Sequence, residues 1–165
     1  MYIISQGIKV EDLINTKDSI LLDKFNNLDD GILIDVRMTQ DNILILCKEA
    51  LIYKKYFINK TNYNLLKKIN LTKIHRLYLP TLIEVLHNYP KEVLVIRLHH
   101  NYDQNDILIK KLTEVLANVH NIKIIIIVDN DYLYDYLKSN TDYEIYLSNS
   151  SNLSFNNDDY LIIDN

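Results

Sequence analysis

"ILIDVRMTQDNILILCKEA", residues 32–50, is the stretch whose reading decides the fold. An apolar run, a turn at Asp41-Asn42 and a second apolar run predict two strands joined as a hairpin, because Asp and Asn bond their own backbone at turns and tolerate left-handed conformations. The first strand carries Asp35 inside an otherwise apolar run, and the second ends in Lys48 and Glu49. Charged groups at the ends of buried strands are where catalytic machinery sits in α/β proteins. Their identity therefore decides whether the chain is an enzyme.

Outward from this hairpin, apolar runs of strand length alternate with segments of helical period. "YIIS" at 2–5 precedes a helix expected from about Glu11 to Asn26, with Ile14, Leu21, Leu22 and Phe25 towards one face. Residues 51–78 are irregular and tyrosine-rich, with one short helix expected at "NYNLLKKI". "PTLIEVLHNY" opens with Pro80 and Thr81 as a helix start, proline's fixed φ suiting a first turn. "EVLVIRLHH", "KIIIIVDN", "YEIYLS" and the final "YLIIDN" are strands, and "QNDILIKKLTEVLANVH" and "DYLYDYLKS" are helices. Continuous Val/Ile/Leu strands separated by helices mean a parallel sheet covered on both sides, hence an α/β fold. No repeat or composition break divides residues 1–165, so a single domain is expected; "NSSNLSFNNDD", 149–159, reads as a surface connection.

Composition narrows the function. At 165 residues the chain buries roughly two-thirds of its unfolded surface. Its single cysteine, Cys47, cannot form an internal disulfide. No basic, then apolar, leader opens the sequence, so an intracellular, cytoplasmic setting is expected. The longest apolar run, Ile124–Val128, is too short for a bilayer, so no membrane insertion is expected. A net charge of −4, with basic residues only in pairs such as Lys54-Lys55 and Lys67-Lys68, gives no footprint for nucleic acid or an anionic membrane. Only Gly7 and Gly31 are available for a phosphate-cradling loop, which needs glycine for close backbone approach. The abundance of Asn, Ile, Lys and Tyr follows AT-rich codons and carries no mechanistic weight.

"IDVRMTQDNILIL", then "LPTLIEVL", then "VLVIRLH", in that order and spacing, resembles the glycerophosphodiester phosphodiesterase family of phospholipase C-like barrels. That family has a strand ending Glu-any-Asp-Val, a Thr-Lys-Asp-Gly turn into a strand ending His-Asp, then Ile-Pro-Thr-Leu-Glu-Glu-Val-Leu before an Ile-Glu-Ile-Lys strand. "ISQGIK" and "INTKDSI" stand where it has His-Arg-Gly and Glu-Asn-Thr. The resemblance covers about residues 3–100 and implies a TIM-type β/α barrel. About six barrel strands are countable besides the hairpin's second arm, and a full barrel takes roughly 200 residues or more, so the expected form is incomplete or distorted. An open sheet edge must be paired or covered. "YLIIDN", apolar and without lysine or proline, is expected either to close against "YIIS" or to meet another subunit, and a homo-oligomer or partner protein is the expected assembly.

What the resemblance implies for the chemistry is loss. The first catalytic histidine falls on Ser5, its neighbouring arginine on Gln6, and Gly7 is kept. The first metal-binding acid falls on Leu33, its partner survives as Asp35, the second histidine becomes Lys48 followed by Glu49, the later acid becomes Arg97, and the lysine becomes His99. Phosphodiester cleavage needs an acid and a base that exchange protons near neutral pH and a cation polarising the phosphate. Ser5 cannot serve alone, and Lys48 would need burial to become a base. A hard cation wants several oxygens, but Leu33 has none and Arg97 repels it. No cofactor, metal or catalytic residue is therefore expected.

Asp35, Lys48, Arg97 and His99 remain as remnant-site candidates. Alternation puts Leu33, Asp35 and Arg37 on one strand face and Arg97 and His99 on one face of another. A guanidinium in place of the cation would convert the old metal site into an ion pair. Ordinary roles stand beside these. Asp35 caps loops as Asp commonly does, and adjacent His99 and His100 diverge as strand-end residues. His75, His87 and His120 sit near loops and helix ends, Cys47 fills the core, and the tyrosines of 131–137 form a helix face. Three functions follow: an inactive barrel derivative with a structural or protein-binding role, a residual phosphodiesterase or phosphate-ester binder using Lys48, Arg97 and His99, and an unrelated flavodoxin-like module that strand order would reveal.

Overall fold

The computed structural model describes residues 2–6, 30–69, 79–87, 89, 91–148 and 160–164. The helix expected over about 11–26, Gly7, His75 and the connection at 149–159 lie outside the described residues.

Six strands run parallel: β1 (Tyr2–Gln6), β2 (Gly31–Met38), β6 (Val93–Leu98), β7 (Lys123–Val128), β8 (Glu144–Leu147) and β9 (Tyr160–Asp164). Between β2 and β6 come β3 (Leu44–Leu46), β4 (Leu51–Ile52) and β5 (Tyr56–Phe57). The helices are α1 (Tyr63–Leu66), α2 (Leu82–His87), α3 (Asn105–Leu116) and α4 (Asp131–Asn140). Side-by-side order is β8-β7-β6-β2-β1-β9, with β3 antiparallel on β2. From β1 to β8 each parallel strand lies beside its predecessor, and the last pairs with the first, Tyr2 opposite Tyr160 through Gln6 opposite Asp164. This is the cyclic order of a barrel rather than the reversal of a flavodoxin-like sheet. "YLIIDN" thus closes against "YIIS", and among the described residues β8 and β9 each have one strand neighbour.

The two faces of the sheet differ, which refines the expectation of cover on both sides. Even-numbered residues of β2, β6 and β7, such as Ile34, Ile96 and Ile126, pack against Leu82 and Val85 of α2, Leu108 and Leu112 of α3, and Leu133 and Leu137 of α4. On the opposite face Leu33, Val93, Val95, Ile125 and Ile127 pack among themselves with Tyr146 beside them. No described helix joins that cluster, as expected for a barrel interior. A strand buried on both faces must be apolar throughout, which is why Ile124–Val128 reads as an unbroken run. At the N-terminal end of the strands, Tyr89 fastens β2 to β6: its hydroxyl donates to the Val93 carbonyl and accepts from the Ile32 amide.

The helix at 82–87 starts two residues later than the proline suggested. Thr81 is its cap: its hydroxyl accepts from the Glu84 amide at 3.2 Å, and Glu84 Oε2 accepts from the Thr81 amide at 2.7 Å, a reciprocal capping box. Pro80 precedes the cap, and its carbonyl accepts from the Leu46 amide at 2.9 Å, docking the helix entrance on β3.

Residues 48–69 are more ordered than their irregular sequence suggested. They hold the β4–β5 hairpin, a 3-10 turn at Ile58–Lys60 and α1, around Ile52, Ile58 and Leu66 packed on Ile45, Cys47 and Leu79. The hairpin turn, closed by the Lys55 amide on the Ile52 carbonyl, puts Tyr53 and Lys54 at φ 51° and 55°. Two side-chain-bearing residues there cost about 1 kcal/mol each. Glycine would remove the strain, which explains why no glycine-based turn signal marked this hairpin. Asp41 reaches across to accept from the Tyr63 amide at 2.8 Å, standing in for Asn62, whose side chain makes no cap bond.

Because β9 completes a five-residue ladder along β1, a truncation ending at Asp159 should uncover that edge and aggregate or fail to fold. Size-exclusion chromatography and thermal melting decide it: a soluble truncation with an unchanged melting temperature would make β9 dispensable.

Candidate functional site

The site forms at the C-terminal ends of β2, β6 and β7, where the strand register brings its charges together. Parallel pairing sets Asp35 opposite Arg97, and Arg97 opposite Ile127. Asp35 and Arg97 side chains lie on the face of the interior cluster, partly buried, with Arg97 Nη1 3.3 Å from Asp35 Oδ1. His99 stands one residue beyond β6 and donates from Nε2 to the same Asp35 oxygen at 2.7 Å. On its other side, His99 Nδ1 lies 3.6 Å from Asp129 Oδ2, an ionic approach rather than a hydrogen bond. Asp129 also receives His100, through the ring Nδ1 at 3.0 Å and the backbone amide at 3.2 Å.

The expectation that His99 and His100 diverge is therefore corrected. Both lie past the last residue of β6, where strand alternation no longer governs, and both rings converge on Asp129. Lys48 is corrected as well. Its side chain is exposed and touches neither Arg97 nor His99; it reaches the cluster only as a charge that helps ionise Asp35. The Lys48 carbonyl instead accepts from Arg37 Nε at 3.1 Å and Nη2 at 2.9 Å, while the Cys47 amide bonds the Asp35 carbonyl at 2.9 Å. Asp129 escaped the sequence reading, though the same signal as Asp35 was present: an acid at the end of an all-apolar run. Cys47 fills the core as expected, burial pushing its thiol up to about 11 and keeping it protonated.

The cluster fixes its own charge states. Burial would raise Asp35, but the His99 hydrogen bond and then the Arg97 charge outweigh it and hold the carboxyl below its ordinary value. Burial would lower His99, but Asp129 and Asp35 on its two sides hold it above the ordinary 6.5. Burial likewise opposes ionisation of Asp129, and the His99 and His100 contacts overcome it. The result is an alternating chain of Arg97, Asp35, His99 and Asp129, with His100 at the open end. Beside it a cleft of about 200 Å³ is lined by Arg37, Asn59, His100, Asn101 and Tyr102 among others.

A divalent cation does not fit this arrangement. The guanidinium of Arg97 takes the carboxylate oxygen such an ion would need, and Leu33, two residues before Asp35, has no donor. Among the described residues, no three His, Cys, Asp or Glu side chains are placed to hold a metal ion. Nor, among them, is any helix long and apolar enough to cross a membrane.

No protein-family profile and no curated protein matches the sequence. Solved structures do match the fold. A phosphodiesterase from Oleispira antarctica, in complex with the product sn-glycerol-3-phosphate, superposes with a TM-score of 0.70 at 19% identity, over 89% of this chain and 64% of that one. A glycerophosphodiester phosphodiesterase from Parabacteroides distasonis gives 0.68 at 19% identity, over 88% and 64%. One from Thermotoga maritima gives 0.65 at 14%, over 92% and 63%. The fold is that of the glycerophosphodiester phosphodiesterases. The chain spans less than two-thirds of the length of these neighbours.

Two stability measurements probe the cluster. Asp35→Asn removes the carboxylate that both Arg97 and His99 face and should approach the upper part of the about 3–5 kcal/mol lost when a buried pair is broken, whereas Arg97→Leu leaves Asp35 its histidine and should fall at the lower end. Equal losses in denaturant titrations would contradict this. The pH dependence has a defined sign. The raised His99 contributes fully below 6.5 and loses its contribution as pH rises through its higher folded value. The lowered Asp35 and Asp129 contribute above 3.8 and lose theirs as pH falls through their lower folded values. Stability should therefore be greatest between about pH 4 and 6.5 and decline on the alkaline side. That decline should flatten in His99→Gln.

Proposed function

We propose that this chain is a catalytically silent, shortened derivative of the glycerophosphodiester phosphodiesterase barrel, kept for a structural or protein-binding role. The observation that carries this is the 3.3 Å contact of Arg97 with Asp35: a fixed positive charge occupies the place where this chemistry needs a metal ion. His99 adds to the argument. A general base must be free to take a proton from the reacting group, and both ring nitrogens of His99 already face carboxylates, Nε2 on Asp35 at 2.7 Å and Nδ1 towards Asp129 at 3.6 Å. Lys48, which the resemblance sets at the position of the second catalytic histidine, is exposed rather than buried as a lysine base would need to be.

Assembly and location belong to the same proposal. A six-strand arrangement in barrel order, with one strand neighbour each for β8 and β9 among the described residues, favours completion by a second copy or a partner protein. A cytoplasmic setting fits the single, buried, protonated cysteine. Analytical ultracentrifugation showing a monomer at all accessible concentrations would remove the second copy.

A second reading, a residual hydrolase or phosphate-ester binder, draws on the Oleispira neighbour, whose structure contains sn-glycerol-3-phosphate, and on the cleft beside His100. It is weaker because Arg97 and His99 already face carboxylates. The two readings separate in one assay. With glycerophosphocholine or bis(p-nitrophenyl) phosphate, and Mg²⁺ or Ca²⁺, release of product should not exceed background. Metal-dependent turnover abolished by Asp35→Ala would overturn the silent reading. Saturable chemical-shift changes on adding sn-glycerol-3-phosphate, without turnover, would favour the binder.

A further inference from the structure

The net charge of −4 conceals a division within the molecule. Residues 48–69 contain Lys48, Lys54, Lys55, Lys60, Lys67 and Lys68 against the single acid Glu49, a net of +5, so the remaining residues carry −9. All six lysines are exposed. We propose that this lobe is a docking surface for the face of an anionic lipid bilayer. The inference is independent of catalytic silence, since none of its residues belongs to the Asp35–Arg97–His99–Asp129 cluster except through the Lys48 backbone.

Three observations support it. First, most of these lysines have no ion-pair partner among the described residues. Among the described residues, Lys48, Lys54, Lys55, Lys60 and Lys68 form no salt bridge, and Lys55 and Lys60 lie over the rings of Tyr56 and Phe57 at 5.0 and 5.7 Å from the centroids. A cation on an aromatic face keeps its charge. Second, exposed apolar side chains accompany the cations: Phe57 is 50% exposed, Tyr53 57% and Leu65 48%. Rings and aliphatic side chains suit the headgroup boundary, while lysine ammonium groups reach phosphates from long apolar stems. Third, the lobe is built. Its small core, its tie through Arg37 to the Lys48 carbonyl, and a turn that holds Tyr53 and Lys54 at positive φ present the surface in one arrangement.

The charge division also orients the protein. An anionic bilayer attracts the lobe and repels the rest, so the molecule would approach lobe first. Clusters of four to eight Lys or Arg next to a membrane anchor or on an amphipathic helix are read as acidic-lipid binding, and the six lysines of the lobe match that number. Nucleic acid is less well matched, because the lobe contains no arginine to fork onto base edges. A second copy, offering its acidic body, is the other occupant the charge would fit, and the experiment separates it.

The full chain is sedimented with vesicles of one part phosphatidylglycerol to two parts phosphatidylcholine, and with phosphatidylcholine alone, at low salt and at about 0.5 M salt, where the screening length falls to a few Å. Retention only on the anionic vesicles, lost at high salt, is expected. Lys54→Gln/Lys55→Gln/Lys60→Gln should weaken partitioning roughly a hundredfold, from about fivefold for each lysine near such a surface. The corresponding triple arginine variant should retain it, and Lys138→Glu on α4 should not weaken it. Absence of binding to the anionic vesicles by the unaltered chain overturns the proposal, as does undiminished binding by a folded triple glutamine variant. A salt-sensitive oligomer without vesicle retention overturns it in favour of a second copy, and tighter retention on duplex DNA overturns it in favour of nucleic acid. Should the triple variant not fold, the salt and lipid dependence of the unaltered chain decides alone.

Discussion

A carboxylate placed inside an apolar strand must be answered by a positive charge, and Asp35 is answered twice. The β2–β6 register sets Arg97 directly across from it, and His99 reaches the same oxygen from beyond the strand end. Everything at the mouth follows from this constraint. His99 is drawn inward rather than towards solvent, which leaves its second nitrogen facing Asp129 and brings Asp129 within reach of His100. Three strands are thereby joined by side chains where their backbone ladders end.

The same arrangement settles the charge of the strand ends without any bound ion. Removing one acid from a carboxylate cluster would leave the others repelling one another or unpaired. Arg97 supplies from inside the chain a positive charge beside the Asp35 carboxylate. At the strand ends, basic and acidic groups alternate from Arg97 through Asp35 and His99 to Asp129, each facing a partner of opposite type.

Much of this was legible in the sequence, and the reasons are local. Unbroken Ile/Val runs of strand length such as Ile124–Val128 read as strands buried on both faces, and alternation within each strand together with the family resemblance brought Asp35 and Arg97 to one place. The reach of His99 and His100 was not legible, because alternation stops at Leu98 and loop geometry takes over. Lys48 was misplaced for a similar reason: its backbone, not its side chain, is what Arg37 holds. The β4–β5 hairpin left no trace because its turn is made by Tyr53 and Lys54, residues that normally avoid positive φ. The division of charge was present in the sequence but hidden by summing over the whole chain, and it became visible when residues 48–69 proved to be one lobe.

The pairing of β1 with β9 also sets a timetable. Tyr2 and Tyr160 are partners across 158 positions of chain, and contacts so distant slow folding because so much chain must be ordered before they form. At about 5–20 residues per second of synthesis, β1 waits roughly 8 to 32 s for β9 to be made. During that interval its edge is open to other strands. In the cell, the yield of folded protein would then depend on what shields that edge while the ribosome finishes.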